Sequence, residues 1–259
     1  MLLFDTMADD KDIKNKVLLA IPVYNEQQYI NDVLDEVAHY IDNVLVINDG
    51  SNDASGAILD ARTDINIITR AKNCGYGQSM IDAFTFAKAH DFNWVITMDC
   101  DLQHEPVQIP DFIERIIRDD VDVISGSRYL HHLPESTVPP DRKNINKQLT
   151  LLLNQKFDLN ITDAFCGFKA YRTSAVLRLP LTEQGYAFPM QFWAFMQCSG
   201  LKMCEIPVSL IYNDPNRSFG GELDDAKTRM DHYMQVLNQA VNDCLKLKAS
   251  CGTCRCQNK

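Results

Sequence analysis

Two aspartates separated by a single residue form the pair in this chain best suited to holding a divalent cation. Asp99 and Asp101 directly follow the apolar run 94–98, which is typical of a strand, and Gln103 comes close behind. One or two carboxylates, together with substrate phosphates, are the usual way in which proteins bind Mg²⁺. Such a cation would bridge a diphosphate and offset the charge that builds on a departing nucleotide. For an Asp-x-Asp taken alone, a solvated pair of carboxylates is the alternative.

Three further polar segments follow predicted strands. They are 22–26 (PVYNE), 48–51 (NDGS) and 126–128 (GSR). In an open parallel sheet, ligands bind beyond the carboxyl ends of the strands. We therefore expect these segments and the aspartate pair to open onto one edge of one sheet.

The elements that must position these segments alternate between strands and helices in the first half of the chain. Strands are predicted at 17–21, 44–47, 65–68, 94–98 and 121–125. Apolar residues recur at helical spacing in 30–41, 54–61, 80–87 and 109–117. Repeated β-α units predict an α/β fold, with a mostly parallel sheet covered by helices on both faces.

The second half is less regular. Segment 129–141 holds three prolines and is predicted to be a loop, and 161–171 is short and mixed in character. Helices are predicted at 145–153, 188–196 and 230–245, and a strand at 204–212. The last helix carries a long amphipathic stripe, which favours core packing, with contact to a membrane surface as the alternative.

Composition limits the classes of function. The chain has 259 residues and a net charge of -10, which suits one α/β domain and argues against general nucleic-acid binding. No apolar run approaches the roughly 18 residues of a transmembrane helix. The N-terminal segment turns acidic too soon for a signal peptide. We expect a cytoplasmic protein, with a peripheral position on the cytoplasmic membrane face as the alternative.

The chain contains nine cysteines, and most of them lie among apolar neighbours, as buried reduced thiols do. Cys251, Cys254 and Cys256 instead cluster in the tail with a spacing that resembles part of a zinc or redox site. Structural zinc usually takes four ligands, and no fourth is adjacent. A metal site and a loose tail with unconnected thiols both remain open.

Two common nucleotide-binding classes are disfavoured. A dinucleotide fold needs a glycine-rich turn after the first strand, and this chain has the glycine-free 22–26 there. Gly75 and Gly77 come only after the third strand and lack the third glycine of that motif. A P-loop is absent too, since no glycine is followed by Lys-Ser or Lys-Thr.

The motifs also occur in a recognisable order. They are IPVYNE, VINDGSND, NCGYGQSM, MDCDLQHEP and SGSRY, followed by DRKNIN, DAFCGFKAYR and GYAFPMQF. Together they resemble the family 2 glycosyltransferases of the GT-A fold, and within that family the dolichyl-phosphate mannose synthase branch and its bacterial polyprenyl-phosphate relatives. The resemblance implies one GT-A domain over 1–248, with a nucleotide-binding half at about 15–128, an acceptor half at about 129–248 and a flexible tail at 249–259.

The resemblance also implies roles for individual residues. The metal, Mg²⁺ or Mn²⁺, would be held by Asp99, Asp101 and Gln103. The nucleotide sugar would be bound by Pro22, Tyr24, Glu26, Asp49, Asp99, Cys100, Asp101, Arg128 and Arg217. The acceptor phosphate would be bound by Arg128 and Arg142, and the catalytic group would comprise Asp101, Asp163 and Arg128.

Several of these residues have a purely structural alternative. Asp49 could cap the following helix, and Arg128 could pair with nearby carboxylates. Arg142 could belong to a solvated charge run with Asp141 and Lys143. Asp163 could be a turn residue.

The implied reaction is inverting transfer of a sugar from a UDP or GDP donor to an acceptor. A hydroxyl acceptor needs a carboxylate base, whereas a lipid phosphate is already anionic. Arg128, Arg142, Lys143 and Lys147 form a basic cluster in an acidic chain, which favours a polyprenyl phosphate. The alternatives are a non-lipid glycan, protein or small-molecule acceptor, and a degenerate protein that binds a nucleotide sugar without turnover.

Two departures from the branch bear on the acceptor. The branch reads Gly-Glu-Ser-Lys after its last strand, whereas this chain has 216–221 (NRSFGG), where Arg217 is a candidate replacement for the lysine. The branch also has glutamate where Gln191 stands.

Overall fold

A computed structural model describes residues 12–130, 140–211 and 221–250. The strands are β1 Val17–Val23, β2 Val44–Asn48, β3 Asn66–Thr69, β4 Trp94–Thr97, β5 Val123–Ser127, β6 Lys169–Arg172 and β7 Met203–Pro207. The helices are α1 Ile30–Val37, α2 Ser55–Asp60, α3 Tyr76–Ala89, α4 Ile109–Ile117, α5 Pro140–Phe157, α6 Thr173–Val176, α7 Phe188–Cys198 and α8 Ala226–Ser250. Short 3-10 turns lie at Pro106–Gln108 and Gly221–Asp224.

The strands form one seven-stranded sheet in the order β3-β2-β1-β4-β6-β5-β7. Every pairing is parallel except those of β6, which runs antiparallel to both β4 and β5. The expected α/β fold with a mostly parallel sheet is confirmed. Parallel strands in register, such as Val23 beside Asn48 and Ala20 beside Thr97, end at the same edge.

Strand β6 was not predicted, because four residues that include a lysine and an arginine carry little strand signal. Its direction matters for the site. An antiparallel strand begins where its parallel neighbours end, so the segment before Lys169 lies at the carboxyl edge of β4. Thr97, near the end of β4, pairs with Lys169. Residues 163–167 are thereby brought beside the aspartate pair.

The two faces of the sheet carry separate apolar cores. On one face, α1 and α4 pack with buried Val33, Leu34, Phe112 and Ile116. On the other face lie α3, α5, α7 and α8. Each fully buried side chain of this size contributes on the order of 1.5–3 kcal/mol relative to its exposed state.

The long C-terminal helix packs against α7 through Tyr233, Leu237, Ala240 and Cys244, all buried. This confirms that its amphipathic stripe is a core face. The helix is longer than predicted, Ala226–Ser250, and β7 is shorter, Met203–Pro207. Among the described residues, no helix combines the length and the apolar character needed to cross a membrane.

Candidate active site

A cleft of about 1040 Å³ opens at the carboxyl edge of the sheet. Most of the residues implicated by the sequence line it. They are Pro22, Tyr24, Glu26, Asp49, Asp99, Cys100, Asp101, Gln103, Arg128 and Arg142. The expected convergence of four strand-end segments is therefore observed, while the individual roles of these residues remain predictions.

The aspartate pair lies on a tight turn after β4. Leu102 adopts a left-handed backbone conformation, with φ 59°, and an Oδ1 atom of Asp101 accepts the Gln103 N–H at 3.0 Å. The Asp99 side chain is 33 % exposed, whereas Asp101 is buried. The turn thus presents oxygen donors to the cleft from a fixed backbone.

A glycine makes room for the Asp99 carboxylate. If Gly167 carried a Cβ, that atom would lie 2.8 and 2.9 Å from the two carboxylate oxygens of Asp99. Real Cβ atoms do not approach so closely, so the Asp99 carboxylate can occupy this position only because residue 167 is a glycine. The Thr97 hydroxyl donates to the Gly167 carbonyl at 2.6 Å and fixes this segment on β4.

The donor set fits a hard divalent cation that is completed by its substrate. Asp99, Asp101 and Gln103 offer oxygen ligands. The described part of the chain contains no group of three His, Cys, Asp or Glu residues placed to hold a metal ion. Mg²⁺ and similar ions commonly take one or two protein carboxylates and complete their shell with phosphate oxygens and water.

His104 supports the turn from beneath. Its Nδ1 accepts the Asp99 N–H at 3.0 Å, and its ring packs on Phe168 at 5.2 Å between centroids. Burial lowers the pKa of His104 to about 4. The imidazole is therefore neutral near pH 7, as an Nδ1 acceptor must be. No signal in the sequence identified this contact.

Asp49 does not cap α2, the helix that follows it in the chain. Its carboxylate accepts the N–H groups of Cys74 at 2.8 Å and Gly75 at 2.7 Å, and it pairs with Arg70 at 2.6 Å. Asp49 thus holds the segment that leads into α3 while lining the cleft. The contact with a nucleotide base remains a prediction.

The loop after β1 is fixed by side chains from the loop after β2. Asn25 has φ 60°, and its N–H donates to the Ser51 hydroxyl at 3.0 Å. The Glu26 N–H donates to the Ser55 hydroxyl at 2.9 Å. These bonds set the position of Tyr24, which remains 42 % exposed.

Gly75 and Gly77, which resemble part of a dinucleotide motif, serve a different purpose. A Cβ on either residue would lie within 2.3 Å of a carbonyl oxygen in the segment 183–184. Glycine at these positions lets the start of α3 approach that segment, which brings the aromatic side chain of Tyr76 against Tyr186.

Arg128 and Asp163 form a bidentate ion pair. Nε and Nη2 of Arg128 donate to the two carboxylate oxygens of Asp163 at 2.7 and 2.9 Å. The Asp163 side chain is fully buried, and that of Arg128 is 19 % exposed. Burial alone would raise the pKa of Asp163, but the charge and hydrogen bonds of Arg128 hold it below its usual value.

This geometry bears on the implied catalytic role of Asp163. Its carboxylate also accepts from Asn146 at 2.9 Å and from the Phe165 N–H at 3.2 Å, so its acceptor sites face protein groups. The pairing of Arg128 with a carboxylate, considered above as a structural alternative, is observed. It leaves three of the five guanidinium N–H donors of Arg128 outside the bidentate pair.

The segment that carries Asp163 is held by a residue that the sequence did not single out. The Glu205 carboxylate, on β7, accepts the Thr162 N–H at 2.9 Å and the Asp163 N–H at 3.2 Å. It also accepts the Thr162 hydroxyl at 2.8 Å. Because Glu205 is distant in sequence, only the strand order brings it here.

The predicted basic cluster separates into two groups. Arg128 and Arg142 line the cleft, whereas Lys143 and Lys147 are exposed on α5. Helical periodicity places Arg142 and its neighbour Lys143 on different faces of α5. Arg217 and the cysteines at 251, 254 and 256 lie outside the described residues.

Arg229, on α8, is a further cation in the cleft wall. It pairs with Asp141 at 2.7 Å and is buried. Burial raises the pKa of the nearby Tyr233 to about 12, against the opposing charges of Arg229 and Arg142.

An aromatic wall completes this side of the cleft. Its members are Tyr76, Phe165, Tyr186, Phe188, Phe192 and Tyr233. Segment 182–183 is held by Gln191, whose Oε1 accepts the N–H groups of both Thr182 and Glu183 at 2.8 Å. Its Nε2 also donates to the Thr182 hydroxyl at 3.0 Å, a bond that an ionised glutamate could not donate, which accounts for glutamine at this position.

A sequence model of Glycosyl transferase family 2 matches residues 19–179, more than half of the chain. The chain belongs to this family. It is therefore a glycosyltransferase by descent.

Three curated relatives of this family 2 chain are named for polyprenyl or dolichyl phosphate chemistry, in agreement with the branch indicated by the motifs. Undecaprenyl-phosphate mannosyltransferase of Micrococcus luteus is 26% identical over 212 residues, which are 78% of this chain and 86% of the relative. Polyprenol monophosphomannose synthase of Mycolicibacterium smegmatis is 26% identical, and the match covers 75% of this chain and 77% of the relative. The UDP-N-acetylglucosamine--dolichyl-phosphate N-acetylglucosaminyltransferase of Methanococcus voltae is 25% identical, covering 79% and 89%.

A solved structure shows the same fold. Glucosyl-3-phosphoglycerate synthase from Mycobacterium tuberculosis, in complex with Mn²⁺, UDP-glucose and phosphoglyceric acid, superposes with a TM-score of 0.69 at 14% identity. The match covers 90% of this chain and 83% of that one. At this identity, the likeness supports the GT-A fold.

Proposed function

We propose that this chain is a metal-dependent inverting glycosyltransferase that moves a sugar from a UDP or GDP donor to a polyprenyl phosphate. One observation carries the proposal. The aspartate turn, for which Gly167 leaves room, faces the same cleft as Arg128, whose guanidinium is held by the buried Asp163.

The donor side is supported by the metal ligands and by the loops around them. Asp99, Asp101 and Gln103 would hold Mg²⁺ or Mn²⁺, which when bound supplies Lewis-acid stabilisation of the leaving diphosphate. Tyr24 and Glu26, on the loop fixed by Ser51 and Ser55, would bind the nucleotide. Relatives named for UDP-sugar chemistry are consistent with such a donor.

The acceptor side is supported by its charges and its aromatic wall. Arg128 and Arg142 would bind the acceptor phosphate, and the wall from Tyr76 to Tyr233 suits an apolar chain. Asp163 is fully buried, so its part is to orient Arg128 rather than to remove a proton. A phosphate nucleophile is already anionic and needs no base, which agrees with a cleft in which this carboxylate is engaged.

A binding experiment tests the donor site first. The melting temperature would be measured with UDP, GDP, CDP and dTDP, each with Mn²⁺ and with EDTA. A ligand that binds only the folded state adds about 2.7 kcal/mol at 100 times its Kd. A metal-dependent shift with one nucleotide, lost in Asp101→Asn, supports the donor site and names the base. No shift with any nucleotide would reject it.

Transfer assays then test the acceptor. The matching nucleotide sugar would be incubated with a polyprenyl phosphate, the corresponding polyprenol and a soluble sugar acceptor. Label that appears only in the lipid phosphate supports the proposal, whereas label in the soluble acceptor favours the non-lipid alternative. Metal-dependent nucleotide binding without transfer or donor hydrolysis would identify a degenerate protein.

A further inference from the structure

Lys169 is a buried cation at the floor of the cleft that none of the steps above uses. It belongs to β6 and is 3 % exposed, yet it is part of the cleft lining. Burying an ammonium group is costly unless its charge is compensated. Its surroundings therefore indicate what compensates it.

The protein supplies few partners for this ammonium group. Nζ donates to the Cys166 carbonyl oxygen and lies 5.5 Å from the centre of the Trp193 ring. Within the described part of the chain, the structure gives Lys169 no ion pair with a carboxylate. An ammonium has three N–H donors, so the cleft floor holds a desolvated positive charge with spare donors.

The neighbourhood of Lys169 belongs to the acceptor side. Among the carboxylates, Asp163 attracts the Lys169 ammonium group most strongly. Asp163 is already paired with Arg128. Burial lowers the pKa of Lys169 against this attraction. An anion entering beside Arg128 would meet both cations at once.

We propose that Lys169 binds an oxygen of the acceptor phosphate together with Arg128. This inference rests on the proposed phosphate acceptor. A monophosphate oxygen would accept from Nζ while Asp163 keeps the Arg128 guanidinium in place. The donor diphosphate offers the same oxygen chemistry, so the test compares the two sources.

The test replaces Lys169 by methionine, an apolar side chain of similar length. Binding of methyl phosphate and of farnesyl phosphate would be measured by calorimetry, alongside binding of the matching nucleoside diphosphate with Mn²⁺. Lys156→Met is the control, because it removes the same charge from the exposed surface of α5. Should Lys169→Met fail to fold, Lys169→Gln gives the same neutral comparison.

We expect Lys169→Met to bind both monophosphates about 10- to 100-fold more weakly, the range for one charge-assisted hydrogen bond. Nucleoside diphosphate binding should not change, and Lys156→Met should match the wild type. Unchanged monophosphate binding would overturn the inference, as would a loss confined to the diphosphate. The inference is also overturned if the wild type binds neither monophosphate.

The same data separate this inference from the proposed function. Lysine-dependent binding of methyl phosphate without transfer to a polyprenyl phosphate would keep the Lys169 site and reject the lipid acceptor. Transfer to the lipid phosphate with equal efficiency in the wild type and in Lys169→Met would keep the lipid acceptor and reject the Lys169 site.

Discussion

Replacing Gly167 by alanine tests whether the aspartate turn depends on a precise fit. The new Cβ would lie 2.8 Å from one Asp99 carboxylate oxygen and 2.9 Å from the other. An ordinary contact begins near 3.4 Å, so the carboxylate has to move by at least about half an ångström. The nearest atoms all belong to that one side chain, which leaves the fold little affected.

A shift of this size at a proposed metal ligand should cost much activity. Misplacing reacting groups by about 1 Å can lower a rate about 100-fold, and we expect a loss of 10- to 100-fold in kcat/KM for Gly167→Ala, with a raised requirement for Mn²⁺. The assay is sugar transfer from the matching nucleotide donor at varied metal concentration, with the melting temperature measured in parallel.

Gly56→Ala is the matched control, because its Cβ would lie at an ordinary 3.4 Å from the Asn48 amide nitrogen. Wild-type activity and metal dependence in Gly167→Ala would refute the inference that the Asp99 carboxylate needs a glycine at position 167. So would an equal loss in both variants, since that would reflect the glycine-to-alanine change in general.

Three further outcomes follow from the same contacts. Asp101→Asn should abolish transfer while the circular dichroism spectrum and melting temperature stay close to wild type, and near-normal turnover would remove the metal-site proposal. Asp163→Asn leaves Arg128 buried without its charged partner, so the free energy of unfolding in urea should fall by about 3–5 kcal/mol; a change below about 1 kcal/mol would show that the pair is not needed. Burial lowers the pKa of His104 from 6.5 to about 4, so between these values the unfolded chain binds a proton that the folded chain does not, and stability falls as the pH drops. At pH 5 the resulting loss of stability is about 2 kcal/mol relative to neutral pH. In EDTA-treated protein this loss should be missing from His104→Asn, which keeps an acceptor for the Asp99 N–H. Equal pH profiles of stability in the wild type and the variant would contradict a neutral, buried histidine.

Local patterns were enough to predict much of the sheet. The β-α alternation of the first half places β1, β2 and β4 correctly, because apolar runs between helical stripes are a strong signal. The convergence of 22–26, 48–51 and Asp99–Asp101 follows from the general geometry of parallel sheets. The order of the family motifs then indicated sugar transfer as the reaction.

The acceptor half was harder, because its order depends on contacts between residues that are distant in sequence. β6 is short and polar, and only its pairing with β4 and β5 makes it a strand. Its antiparallel direction then brings Gly167 and Lys169 to the edge of the sheet where the cleft opens. The sequence contains both residues within a recognised motif but gives no role to either.

The sequence by itself determined the family, the α/β class and most of the strand-end residues that meet at the cleft, because motif order and strand-end position depend only on the chain. Tertiary structure decided which of those residues line the cleft and which are enclosed by protein groups. Asp163 and Arg142 carry equal charge in magnitude and stand in neighbouring motifs, yet Asp163 is buried behind Arg128 while Arg142 lines the cleft. Burial and pairing are properties of packed elements, and no local pattern specifies them.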